Sequence, residues 1–115
     1  MYPLVLHKNL TLEKWSAYLR PNQILMIAAE LNRAGNWMDK RHAESVRRCD
    51  ERAFELVDLT LEDPKWKGGA GELLRFRELL AQRYAAGSMD RALNGKLFRV
   101  LVQLHPESAS AAGQR

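Results

Sequence analysis

The sequence predicts an all-α protein, a small bundle of four to five helices, on three observations. Apolar residues recur every three to four positions in five segments, Pro and Gly separate those segments, and no stretch alternates apolar with polar as a half-buried strand does. The clearest stripe is Val46, Cys49, Ala53, Leu56 and Thr60, one residue per turn on a single helix face.

A chain of 115 residues fits one domain, on a prior of roughly 100–200 residues each. At this size about two-thirds of the unfolded surface is buried, enough for a core. Residues 1–105 read as the bundle, and 106–115, small and polar, read as a disordered tail. At 46% apolar and 28% charged, the composition is that of a folded globular protein.

The first helix starts at Thr11, a capping hydroxyl, with Glu13 in the first turn. Leu10 and Trp15 form a hydrophobic staple, and Leu12, Trp15 and Leu19 form the buried face. Pro21 opens the second helix, which is apolar nearly all round through Ile24, Leu25, Met26, Ile27, Ala28, Ala29 and Leu31. It runs to about Ala34, with Gly35-Asn36 as the stop and a kinked continuation through Trp37 as the alternative. The third helix spans about Asp39, its N-cap, to Leu61 or Glu62, before Pro64. Glu44–Arg48 and Arg47–Glu51 are i,i+4 pairs on its solvated side. Residues 63–71 form the main loop. Leu73, Phe76, Leu80 and Tyr84 face inward from the fourth helix. Gly87-Ser88 ends that helix and caps the fifth, whose stripe is Leu93, Leu97, Val100, Leu101 and Leu104. Gly95 within it marks close helix packing or a local weakness, and His105-Pro106 stops it. The expected core is Leu25, Ile27, Leu31, Val46, Ala53, Leu56, Leu73, Phe76, Leu80, Leu97 and Leu101.

The net charge of +4 is unevenly distributed. Residues 39–63 hold five basic and eight acidic side chains, whereas residues 64–115 hold nine and four. Such asymmetry either marks a surface for an anionic partner or pairs a basic helix with an acidic one inside the chain.

No residues are spaced for catalysis or for holding a metal or cofactor. A di-metal bundle needs Glu-x-x-His pairs, and the nearest approach is Asp39-x-x-His42, with Glu30 as the one further inward carboxylate. His42 lies one heptad before Cys49 and reads as capping the core edge. Cys49 sits on the apolar seam and reads as a small core residue. The stretch Gly68 to Gly71 leads into a helix N-terminus, where free N–H groups can hold an anion. It lacks the Gly-Lys-Ser/Thr of a P-loop, and Glu72 already satisfies the helix dipole, so a connector is the expectation.

Two family resemblances accompany this reading. Arg99-Val-Leu-Val-Gln-Leu-His105 has the Arg-x5-His form and resembles HEPN domains, small all-helical modules many of which are metal-independent ribonucleases. The resemblance implies catalysis by Arg99 and His105. Six residues of helix turn them about 120° apart, so convergence requires the chain to unwind before Pro106. Pro21-Asn22-Gln23-Ile24-Leu25-Met26 is similar to the start of the long helix in flagellin export chaperones, which implies a helical binder of a partner protein.

The leading expectation is an interaction module without enzymatic activity that binds protein, most specifically a second copy of itself. Trp15, Trp37 and Trp66 near helix ends supply the anchors. The alternative is a nucleic-acid binder using Arg75, Arg77, Arg83, Arg91, Lys96 and Arg99, expected to bind weakly. The longest wholly apolar run, Ile24 to Ala29, is six residues, against the roughly 20 that cross a bilayer. With no export signal at the N-terminus and one cysteine, the expected compartment is the cytoplasm.

Overall fold

The computed structural model describes residues 7–113, and among these every regular element is helical. The reading of the N-terminal residues as lacking an export signal rests largely on positions 1–6, and the last two positions of the tail are 114 and 115. Both lie outside the described residues.

Thr11 adopts an extended backbone and its hydroxyl accepts the N–H of Lys14 at 3.2 Å, starting α1 (Leu12–Ser16). Trp15 is fully buried, and Leu10 packs against the same core, as the staple requires. Leu19, expected inside, is 66% exposed. The helix stops at Ser16, so Leu19 instead becomes the N-cap of α2 (Arg20–Asp39), with Pro21 second in that helix.

Helix α2 does not stop at Gly35. Asn94 and Arg91 of the fifth helix lie where a Cβ on residue 35 would collide with them, and Asn94 Nδ2 donates to the Leu31 carbonyl at 2.9 Å. Gly35 thus serves close approach rather than termination. The true stop is a Schellman motif further on. His42 N–H donates to Trp37 O and Arg41 N–H to Met38 O, both at 3.0 Å, with Arg41 left-handed at φ 55. Consequently the N-cap of α3 (Ala43–Glu62) is His42 rather than Asp39. His42 is exposed, its Nδ1 accepting the Ser45 N–H, and does not line the core seam. Val46, Cys49, Ala53, Leu56 and Thr60 are all buried.

The main loop is more ordered than its composition suggested. A single 3-10 turn, Pro64–Trp66, tucks Trp66 into the core. Helix α4 (Ala70–Ala86) follows from Gly69 and ends at left-handed Gly87. Asp90, not Ser88, caps α5 (Arg91–Val102) by accepting the N–H groups of Ala92 and Leu93. The stretch expected to be a disordered tail forms α6 (Pro106–Ala111), held by Ser108, whose buried hydroxyl donates to Val102 O at 2.7 Å.

The four long helices form a ring, α2 against α3, α3 against α4, α4 against α5 and α5 back against α2, while α1 and α6 close one end. Short connections make neighbours antiparallel, the arrangement of an up-down four-helix bundle. Of the expected core, only Leu25 is not fully buried. Its neighbour Gln23 is buried instead, at the centre of a polar network. Gln23 Nε2 donates to Trp15 O and to Asp63 Oδ2, both at 2.9 Å, while its Oε1 accepts the Trp66 indole N–H at 2.7 Å. Trp15 Nε1 donates to Thr60 Oγ1 at 3.0 Å. Two of the three tryptophans assigned to an interface are therefore internal, each with its N–H satisfied. Trp37 alone is half-buried, with Lys40 over its ring.

Candidate functional site

Helices α4 and α5 leave an open apolar groove between them. Leu79 and Ala86 line it from α4, Leu93, Leu97 and Val100 from α5, and Ser88 closes the loop end. The volume is about 400 Å³. The lining positions repeat every three to four residues on both helices, so the groove runs for about two turns, roughly 10 Å. Leu79, Leu93 and Val100 are each more than a third exposed, although Leu93 and Val100 were expected on the inner face of α5. The helix rotates so that Asn94, Leu97 and Leu101 point inward, and the two outer residues remain at the groove walls.

Among the described residues, Arg83 and Lys96 are the only charged ones that line the groove. Arg83 is 2% exposed and its Nη2 donates to Asp50 Oδ1 of α3 at 2.5 Å, a fully buried ion pair. Its Nε has no hydrogen-bond partner. Burial above all holds the Asp50 carboxyl above its ordinary pKa, against the pull of the Arg83 guanidinium. On the far side of Arg83 a smaller cavity of about 160 Å³ is lined by Arg47, Asp50, Tyr84 and Met89 among others. There Tyr84 donates to Glu51 at 2.7 Å and accepts from Arg47 at 3.4 Å. The hydrogen bond to Glu51, then burial, raises the tyrosine pKa.

The residues singled out from the sequence fall elsewhere. Arg99 is exposed on the last turn of α5. The chain does unwind after Val102, but His105 then caps α6, its Nδ1 accepting the Glu107 N–H at 3.2 Å. His105 lines a cleft with Arg20, Trp66, Glu72 and Gln103, and Arg99 is not among the lining residues. Glu30 is buried between Arg33 at 2.9 Å and Arg52 at 3.2 Å, an ion-paired carboxylate rather than a free ligand. Among the described residues no cluster of three or more His, Cys, Asp or Glu could hold a metal ion. Cys49 is buried, and burial above all raises its thiol pKa, against the pull of Arg52. Gly68 and Gly71 stand in open surroundings.

Sequence reasoning missed both the groove and the buried pair. The groove has a signal in α4, whose doublets Leu73-Leu74 and Leu79-Leu80 make its apolar stripe wider than one buried face needs. Asp50 and Arg83 carry no comparable signal, because charged residues at those spacings ordinarily face water. No family model, curated protein or solved structure matches the chain. The class defined by its own geometry is a small all-α bundle, and no helix among the described residues is long and apolar enough to cross a membrane.

Proposed function

We propose that the protein is a protein-interaction module whose α4–α5 groove receives a helical segment. The observation that carries this reading is the groove itself, walled by Leu79, Leu93 and Val100, which an isolated chain leaves open to water. An apolar channel two turns long matches the i, i+4, i+7 anchors of an amphipathic helix. Its walls supply the anchors that the sequence had assigned to the tryptophans. The reading places the module in the cytoplasm, where a single buried cysteine needs no partner.

The test is selection of helical peptides from a display library, followed by binding to a Leu79→Glu/Leu93→Glu variant. Both side chains are already partly exposed, so the variant keeps the helical circular dichroism of the parent. Peptides whose binding is lost in that variant support the docking surface. Selected peptides that bind parent and variant alike exclude it.

A further inference from the structure

Helix α6 closes one end of the bundle on few anchors. It is six residues long, and a helix so short is not stable on its own in water. It packs against α2 and α5. Ser108 is fully buried, its hydroxyl set against the Val102 and His105 carbonyls, and Ala112 packs on the core just past the helix end. At the start of the helix the N-cap is a histidine, His105, whose Nδ1 accepts the Glu107 N–H at 3.2 Å. Pro106 between them has no N–H, so this is the first donor of the helix. An imidazole nitrogen accepts only through a free lone pair, and an imidazolium carries a hydrogen on both nitrogens. Proton and cap therefore compete for one atom, and turning the ring offers no second acceptor.

We infer that α6 is a pH-sensitive strap, fastened while His105 is neutral and loosened when His105 takes up a proton. Imidazole changes charge within about pH 5–8, where carboxylates and lysines ordinarily do not. Four charged side chains share the clefts around the ring. Arg20 of α2 and Lys65 of the 3-10 turn oppose a cation there, while Glu72 of α4 and Glu107 of α6 favour one. The two signs are matched in number, which leaves the lost bond and the positive end of the helix to set the direction. The other two histidines respond differently. His42 caps α3 in the same way, but α3 is 20 residues long and its buried face holds it whatever the cap does. His7 Nδ1 meets Glu55 Oε1 at 2.7 Å, a contact that protonation turns into an ion pair. Of the three, only His105 fastens an element with little else to hold it.

Amide hydrogen exchange of the full chain at about pH 7.5 and about pH 5.5, each corrected for the intrinsic exchange rate, tests the strap on either side of the imidazole titration. The Ala109 and Ala112 amides, which donate to the His105 and Ser108 carbonyls, report on α6. Losing an N-cap of ordinary strength should lower their protection roughly fivefold at the lower pH, with α3 unchanged. His105→Asn keeps a capping acceptor that takes up no proton in this range, so its α6 should be equally protected at both pH values. His105→Ser, a second cap that does not titrate, should behave alike. Ring nitrogen shifts of His105 at the higher pH should place the hydrogen on Nε2. A hydrogen on Nδ1 excludes the switch. So does α6 protection that is equal at the two pH values in the parent, or that falls as far in His105→Asn and His105→Ser as in the parent.

Discussion

Asp50 and Arg83 show how one buried pair links two helices and two cavities. Both side chains are almost fully excluded from water, and the pair spans α3 and α4 beneath the groove. A buried ion pair gains little over apolar replacement, whereas removing one member strands the other charge at a cost of about 3–5 kcal/mol. Asp50→Ala should therefore lower the unfolding free energy by about that amount, and Asp50→Leu/Arg83→Met should recover most of it. Urea unfolding followed by circular dichroism checks this, and a double variant weaker than the single one contradicts it. Asp63 behaves differently. Burial raises its pKa, but hydrogen bonds from Lys65 and Gln23 lower it further, so the net shift is downward. The folded state thus prefers the ionised carboxylate. Its contribution is complete above the unfolded carboxylate value, near pH 4, and is lost as pH falls through the lower folded value. Between neutral pH and about pH 3, Asp63→Asn should show a smaller drop in melting temperature than the parent, though it starts less stable. Equal drops would contradict this assignment.

At the scale of elements, the helices were legible and their ends were not. Periodicity at Val46, Cys49, Ala53, Leu56 and Thr60 depends only on which face is apolar, and the structure buries every one of those residues. Ends depend on what packs nearby. Gly35 has the composition of a stop, yet α5 crosses there, and the stop falls to Arg41, a residue with no intrinsic preference for positive φ. Gly95 resolves the opposite way. A Cβ there would meet only Arg99 Nη1 at 3.8 Å, so no close packing requires glycine and the residue is a local weakness. Gly95→Ala should stabilise the protein by about 1 kcal/mol through helix propensity. Arg41→Gly should gain a similar amount, about 1 kcal/mol, by relieving the left-handed residue. Chemical denaturation of each variant measures the gain, and a loss at either position would show that its surroundings are tighter than the geometry indicates.

For the whole molecule, the charge imbalance between the acidic and basic halves of the sequence is settled partly inside the fold. Arg77 pairs with Asp58 at 2.7 Å and Arg83 with Asp50, so α4 spends two of its cations on α3. Of the i,i+4 pairs expected within α3, Arg47 and Glu51 both turn to Tyr84 of α4, while Arg52 pairs with Glu30 of α2. What the sequence could not show is which cations remain, because that depends on the ring order of the helices rather than on spacing along the chain. Within residues 64–113 the remainder is Lys67, Arg75, Lys96 and Arg99, and their setting argues against nucleic acid. Lys96 alone of them lines the apolar channel, and no aromatic side chain lines it to stack on a base. Cations so scattered make few phosphate contacts and release few counterions, so binding to single- or double-stranded DNA or RNA should be weaker than roughly 1 μM at about 150 mM salt, with a shallow salt dependence. Fluorescence anisotropy across a salt series checks this. A tight complex lost on replacing Arg91 and Arg99 would make the basic face a nucleic-acid surface. RNA cleavage abolished by His105→Ala would restore the resemblance to HEPN ribonucleases, and would require His105 to leave its capping bond to Glu107 to reach Arg99.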